Sequence, residues 1–165
     1  MIIGEKLSEG EFSPLSCHNA TLDFVSEYKY LGVNLIGGKV LSFSARSEIR
    51  SFHRAANSIL TSSTRPNDHI LMKLLYTNCV PILTYACAVK QFSAAEMSSC
   101  NTAINNAIRR IFSFARYESI RHLRQSYHFK SIYEIFSLAQ SKFIKSSLTS
   151  SNDIVRHIAN CFDLD

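Results

Sequence analysis

The chain has 165 residues, a hydrophobic fraction of 46% and a formal net charge of +5. That length allows one domain with its own core, and the composition excludes a disordered chain. The modest positive charge is compatible with a polyanionic partner and equally with a solvated basic surface, because no basic run is as long as a tail.

Residues 1–43 have the short alternating runs and turn residues of β structure. The segment TLDFV, from Thr21, is predicted to pair with YKYLGVNL in a hairpin whose tight connection is Ser26–Glu27. Gly32 lies inside the second strand, where a glycine indicates a tight bend or bulge, or the close approach of another backbone or a ligand. The first residues, MIIG, predict the end of a further strand.

From Ser44 onward the hydrophobic periodicity is helical. Residues 44–60 place apolar side chains on one stripe and three arginines one turn apart on a neighbouring stripe, which predicts an amphipathic helix with a cationic face. The three are Arg46, Arg50 and Arg54. Residues 69–90 predict a long apolar helix with Asn67 or Asp68 as its N-cap, which Pro81 kinks or splits.

Three further helices are predicted after this one. Ser93–Glu96 has a capping-box pattern, which predicts a helix over 94–115. The next helix is expected near 130–148, and the start signal Ser151–Asp153 predicts a short last helix. The predicted fold is therefore mainly α, with a short N-terminal β-hairpin element followed by a helical bundle.

The segment 109–130 is rich in arginines with aromatic residues between them. Such surfaces are typical of proteins that bind single-stranded or structured RNA, because stacking and charge act together. The other interpretation is that the phenylalanines are core and the arginines are surface. The residues concerned are Arg109, Arg110, Arg116, Arg121, Arg124 and Lys130, with Phe112, Phe114, Tyr117, Tyr127 and Phe129.

The cysteines and the apolar segments indicate where the protein resides. Five cysteines without a CxxC pair fit neither a disulfide framework nor a zinc ribbon, and the lone pair Cys17-His18 has no second ligand pair. No signal peptide is recognisable, and Lys73, Asn78 and Pro81 interrupt the most apolar segment. We expect an intracellular protein, in the nucleus or the cytoplasm, without membrane contact.

In order and spacing, four segments resemble the region after the catalytic aspartates in non-LTR (LINE-type, jockey-like) retrotransposon reverse transcriptases. The resemblance covers roughly residues 22–114. It departs from the family at Ala86, where the family has Gly, at Lys90, where it has Trp, and in lacking the downstream zinc knuckle. The segments are EYKYLGVNL, ARSEIRSFHRAANSIL, LMKLLYTNCVPILTYACAV and NTAINNAIRRIF.

The resemblance implies a residual palm strand and a primer-grip-like hairpin over 1–43, thumb-like helices over 44–115 and a helical extension over 116–165. In the family, the grip packs on the primer backbone and a thumb helix lies along the template–primer duplex. The implied partner is therefore nucleic acid, an RNA–DNA or RNA duplex. The implied contacts are Tyr30, Leu31, Gly32, Arg46, Arg50, Arg54, Arg109, Arg110, Arg116, Arg121 and Arg124.

Polymerase chemistry requires clustered carboxylates that hold two metal ions, and the sequence has no Y-x-D-D turn. By the resemblance the chain begins just after that turn, so we expect no catalytic, cofactor or metal site. Magnesium would belong to the missing palm. The hairpin face would then need the palm and fingers region, or a protein partner, to cover it.

The expected function is that of a fragment of an RNA-directed DNA polymerase, its primer-grip and thumb part, which binds nucleic acid at most and is not catalytic alone. The alternative is an independent helical protein-interaction module, in which the apolar helix 69–90 forms a partner groove. Catalysis by a nucleophile or general base ranks third, because the histidines are scattered and no Ser or Cys has a nucleophile context.

Overall fold

The computed structural model describes residues 15–17, 20–62 and 66–162. These residues fall into two compact units, the first reaching Ala45 and the second starting at Arg46. The strand predicted at MIIG lies outside the described residues. Across them the fold is mainly helical, and strands occur only before Ser44, as the sequence predicted.

The described residues of the first unit form two separate antiparallel sheets. One is the pair β1–β2, and in the other β4 lies between β3 and β5. The strands are β1 (Leu15–Cys17), β2 (Ala20–Leu22), β3 (Glu27–Tyr30), β4 (Val33–Ile36) and β5 (Ser42–Phe43).

The hairpin of the larger sheet turns at Leu31 and Gly32. Tyr30 pairs with Val33, which leaves a two-residue loop between β3 and β4. The φ angles of 46° at Leu31 and 79° at Gly32 are both positive, as a type I′ turn requires. A glycine is favoured in that conformation because it has no Cβ to clash with the backbone. Gly32 is thus accounted for by a tight bend, without a bulge.

The predicted connection at Ser26–Glu27 was wrong, because Glu27 is already paired with Ile36 in the β3–β4 hairpin and Ser26 continues that pairing. Its carbonyl accepts a hydrogen bond from the N–H of Gly37 at 2.8 Å, which extends the β3–β4 ladder beyond its last paired residues. The segment TLDFV accordingly does not pair with YKYLGVNL, and Thr21 pairs with Ser16 instead. The sequence contained no strong turn signal at Ser26 that could have fixed the register.

The second unit consists of seven helices among its described residues. A π-helical turn, Leu75–Cys79, joins the second helix to the third. The helices are α1 (Arg46–Leu60), α2 (Asp68–Leu74), α3 (Val80–Leu83), α4 (Ala94–Ile111), α5 (Arg121–Ser126), α6 (Ile132–Leu148) and α7 (Asp153–Phe162).

Pro81 splits the predicted helix 69–90, and the break extends over more than one residue. Proline lacks the N–H for the helical hydrogen bond and crowds the carbonyl four residues earlier. The chain widens just before it, where the N–H of Val80 donates to the carbonyl of Leu75, five residues back. Helical structure ends at Leu83, so the predicted end at residue 90 was wrong.

Side-chain caps fix the beginnings of α2, α4 and α6. Asn67 accepts a hydrogen bond from His69 N–H at 2.9 Å and is the N-cap of α2. Ser93 and Glu96 form the predicted capping box of α4. A second box, at Ser131 and Glu134, opens α6 and was not predicted. Each box satisfies two backbone donors that the first helical turn leaves free.

The end of α4 and the presence of α5 also differ from the sequence prediction. The chain leaves α4 at Ser113, whose φ of 55° is left-handed, so this helix ends at Ile111 and not at 115. The short helix α5 inside the basic segment was not predicted. The helices near 130–148 and after Asp153 were predicted correctly.

The core of the second unit lies between α1, α2, α3 and α4, with α6 packed on α4. The predicted apolar stripe of α1 supplies Phe52 and Ala56, both buried. The predicted apolar segment after Asp68 contributes to the core as far as Leu83, and this part is not a partner groove. Its buried members are Leu71, Met72, Leu75, Cys79, Val80 and Leu83. No helix among the described residues is long and apolar enough to cross a membrane.

Candidate nucleic-acid interface

Three arginines form the exposed side of α1. Arg46, Arg50 and Arg54 are all solvent-exposed and recur at one-turn spacing, away from the buried Phe52 and Ala56. They extend over about 12 Å of the helix at 1.5 Å per residue, a length comparable with a few phosphate spacings. The helix therefore presents a row of guanidinium groups that can follow a nucleic-acid backbone without reading bases.

A fourth arginine joins this row from another helix. Arg110, near the end of α4, donates from Nη1 to the Oδ1 of Asn57. Asn57 follows Arg54 by three residues and so lies on the same side of α1. The sequence placed Arg110 in a different basic segment, and only the crossing of α1 and α4 brings it here. We call Arg46, Arg50, Arg54 and Arg110 the cationic strip.

The only acidic residue of α1 is turned away from the strip. Glu48 is 8% exposed, and its Oε1 lies 2.7 Å from the Nζ of Lys90, which is 0% exposed. The Nζ also lies 5.6 Å from the ring centroids of Tyr85 and Phe92. The carboxylate is thus neutralised inside the protein by Lys90, and it does not lie among the arginines on the exposed side of α1.

Two opposing influences act on the Glu48 carboxyl. Burial by itself raises its pKa, since a charged group loses solvation. Hydrogen bonds from Lys90, Ser47 and the backbone, together with the charge of Lys90, outweigh burial and bring the pKa below its ordinary value. Glu48 is therefore a carboxylate at neutral pH.

A turn after α3 carries Lys90 to this position. Ala86 has a φ of 53°, and its carbonyl accepts hydrogen bonds from the N–H groups of Val89 and Lys90, each at 3.1 Å. Gln140 of α6 donates to the carbonyl of Lys90 at 3.3 Å. In the sequence, Lys90 was recognised only as a departure from the pattern that the chain resembles. Its pairing with Glu48 was not predicted. A lysine within an otherwise apolar stretch was the available signal.

Two arginines of the basic segment are engaged in holding the protein together. The Nε of Arg109 donates to the carbonyl of Glu118 at 3.0 Å. Both terminal nitrogens of Arg124 lie 3.3 Å from the Oδ1 of Asn101 and donate to it. These two candidates therefore support the loop between α4 and α5 and the packing of α5, whereas Arg116 and Arg121 are exposed.

Most aromatic residues of the segment pack on one another. Phe129 stacks on Tyr76 with 3.8 Å between ring centroids, and Tyr127 stacks on Phe129 at 5.9 Å. Phe112 contacts Tyr127 and Phe114. These rings are half-buried, which restricts their access to a nucleic-acid base. Tyr117 differs, because it is exposed.

The Tyr76 hydroxyl and the Nε of Arg124 are both buried without a hydrogen-bond partner among the described residues. Burial raises the pKa of Tyr76, and the neighbouring charge of Arg124 opposes the rise. Arg124 therefore lies near enough to the Tyr76 hydroxyl to affect its ionisation.

The β3–β4 turn presents the three remaining candidates. Tyr30 and Leu31 are exposed, and Gly32 follows Leu31 at the turn. An exposed two-residue turn allows close approach to its backbone. These residues belong to the first unit, whereas the cationic strip belongs entirely to the second.

Three described cysteines are buried free thiols. Burial raises the pKa of Cys79 and Cys87 and brings that of Cys100 to about 11, so these cysteines are protonated at neutral pH. Within the described ranges, no group of three or more His, Cys, Asp or Glu residues could hold a metal ion.

An apolar groove lies elsewhere on the second unit. It measures about 900 Å³ and is bounded by α6, α7 and the segment 88–92. Its lining contains no charged residue, and Val89, Phe143 and Ile158 are each about half exposed. The sequence analysis did not identify this groove, because it forms only where α6, α7 and the segment 88–92 come together.

Comparison of the chain with protein-family models, with curated proteins and with solved structures found no match.

Proposed function

We propose that the chain is the primer-grip and thumb part of a non-LTR retrotransposon RNA-directed DNA polymerase, and that it binds a nucleic-acid duplex through the cationic strip. The strip carries the proposal, because it is an exposed row of arginines on a helix whose single carboxylate is buried and paired. Such a row binds phosphates regardless of base sequence.

Two further features support the assignment to this family. Ala86 adopts a left-handed conformation that favours glycine, and it stands where the family has glycine. The Leu31–Gly32 turn is exposed, as a hairpin that approaches a primer backbone would need to be. The chain has no paired aspartates for metal binding, so the proposal includes no catalysis by this chain alone.

The test is the salt dependence of binding to an RNA–DNA hybrid duplex. Replacing Arg46, Arg50 and Arg54 by Gln should lower the slope of log K against log salt by about 2 to 3, because each phosphate contact contributes close to one unit. The helix should persist, since Gln is nearly as good a helix former as Arg.

A matched control removes the same charge elsewhere. Lys73, Lys142 and Lys145 are exposed on α2 and α6, and their replacement by Gln should leave the slope nearly unchanged. An unchanged slope in the arginine variant with intact helicity would show that the strip is only a solvated face. An equal loss in both variants would show that net charge, and not the strip, is responsible.

The apolar groove favours a second candidate, an independent helical protein-interaction module. Its uncharged lining and half-exposed side chains suit the apolar face of a partner helix. Two results together would favour this candidate. The chain would bind no hybrid duplex at low salt, and it would bind a hydrophobic fluorescent dye that the Ile158→Glu variant no longer binds.

A further inference from the structure

Tyr117 is the most exposed large hydrophobic side chain among the described residues, with 89% of its surface accessible. The other aromatic residues of the basic segment stack within the protein, and within the described ranges the ring of Tyr117 has no such contact. An exposed ring beside a cationic residue can stack on an unpaired base, since every base has a π face.

The backbone presents Tyr117 at the tip of a defined turn. The N–H of Glu118 donates to the carbonyl of Ala115 at 3.1 Å, so Arg116 and Tyr117 are the two central residues of a β-turn. Arg109 holds the turn from the side of α4 through the carbonyl of Glu118. A turn held in this way loses little conformational freedom when it binds a ligand.

The end of α4 connects this turn to the cationic strip. Arg109 holds the turn, and the next residue, Arg110, contacts Asn57 on the strip side of α1. Arg116 precedes Tyr117 directly and is exposed, while Glu118 is the acid that follows it. A strand leaving a duplex at the Arg110 end of the strip would meet an aromatic ring next to a guanidinium.

We propose that Tyr117 and Arg116 bind the first unpaired nucleotide of a single-stranded extension, with Tyr117 stacking on its base, while the strip holds the adjoining duplex. This inference rests on the proposed function and extends it, because it makes a duplex with an extension the preferred ligand.

The experiment compares two fluorescent ligands by anisotropy at the same low salt concentration. One is a blunt RNA–DNA hybrid, and the other is the same hybrid with a short single-stranded RNA extension. The wild-type chain should bind the extended ligand at least about fivefold more tightly. Tyr117→Ala should remove that preference and leave the affinity for the blunt hybrid unchanged, and Tyr117→Trp should retain it.

Tyr133→Ala is the matched control, because Tyr133 is also a partly exposed tyrosine but lies on α6 at the groove. It should keep the preference. Equal binding of both ligands by the wild-type chain, or a preference that persists in Tyr117→Ala, would overturn the inference and leave the proposed function intact. Binding of neither ligand would overturn the proposed function and this inference together.

Discussion

Charged residues lie on two opposite sides of α1, and their surroundings differ completely. On one side, Glu48 and Lys90 form an ion pair that is almost entirely removed from water. On the other side, Arg50 and Arg54 are exposed, and Arg54 makes its hydrogen bond to Ser51 of the same helix. Breaking a buried pair is costly because it leaves an unpaired charge, whereas an exposed charge contributes little to stability.

The difference separates residues that maintain the fold from residues that lie at the surface. Lys90 is fixed by Glu48, by two aromatic rings and, through its carbonyl, by Gln140. The cationic strip can change without loss of the core. The following experiments test whether stability depends on the buried charges and duplex binding on the exposed ones.

The largest expected effect is on the buried side. Lys90→Met should destabilise the protein by about 3–5 kcal/mol, because the Glu48 carboxylate stays buried without a partner. Chemical unfolding followed by circular dichroism measures this loss. Arg50→Gln is the control on the exposed side and should change stability by no more than about 0.5 kcal/mol. Similar values for both variants would refute the distinction.

Replacing both partners should restore most of the lost stability. Glu48→Leu combined with Lys90→Met removes both charges from the interior and leaves apolar side chains of similar size. Exchange of a buried pair for apolar residues is often neutral or stabilising. A double variant as unstable as Lys90→Met alone would mean that packing around Lys90, and not its charge, is what matters.

The pH dependence of stability should differ between the wild type and this double variant. The pKa of Glu48 is lowered in the folded protein from its ordinary value of 4.5. The unfolded chain therefore binds more protons near that pH, and the stability from Glu48 is present above about pH 4.5 and lost as pH falls through the lower folded value. The free energy of unfolding should be measured for both proteins from neutral to acidic pH. In that window the wild type should lose stability relative to the double variant, which lacks Glu48.

The contribution of Glu134 should cancel from this comparison. Its pKa is also lowered, chiefly by the hydrogen bond from the backbone N–H of Ser131. Because both proteins retain this capping box, it affects their stabilities alike. A stability difference that stays constant from neutral pH to well below 4.5 would contradict the assignment to Glu48.

Arg109 and Arg110 are neighbours on α4, and they allow the same comparison between an arginine that supports the fold and an arginine of the cationic strip. Arg109→Gln should cost about 1 kcal/mol, since it removes the hydrogen bond to the Glu118 carbonyl. Arg110→Gln should cost less in stability but lower the salt slope of duplex binding by about one. The same two measurements on both variants test this, and a reversed pattern would remove Arg110 from the strip.

The smallest expected effect concerns the turn that carries Lys90. Ala86→Gly should stabilise the protein by about 0.5 kcal/mol, because the gain from relieving a left-handed residue slightly exceeds the entropy cost of glycine. Thermal unfolding can detect a change of this size. A clear destabilisation would mean that the Ala86 methyl group packs favourably enough to offset its backbone conformation.

Local sequence patterns determined much of the secondary structure. The apolar stripe of α1, the capping box at Ser93 and the N-cap at Asn67 were all predictable, because their interactions join residues within one or two helical turns. The one-turn spacing of Arg46, Arg50 and Arg54 was visible for the same reason. The β3–β4 register was not, since a two-residue turn at Leu31–Gly32 competes with other connections of similar local quality.

Only the tertiary structure decided which charges are buried and which are exposed. Glu48 and Lys90 are 42 residues apart, and Asn57 and Arg110 are 53 apart, so no local pattern links either pair. Each contact exists because helices separated along the chain pack on a shared core, and that packing sets which side of α1 faces inward. The sequence shows how many arginines the chain has, but the crossing of α1 and α4 selects Arg110 for the strip and leaves Arg109 to hold the neighbouring turn.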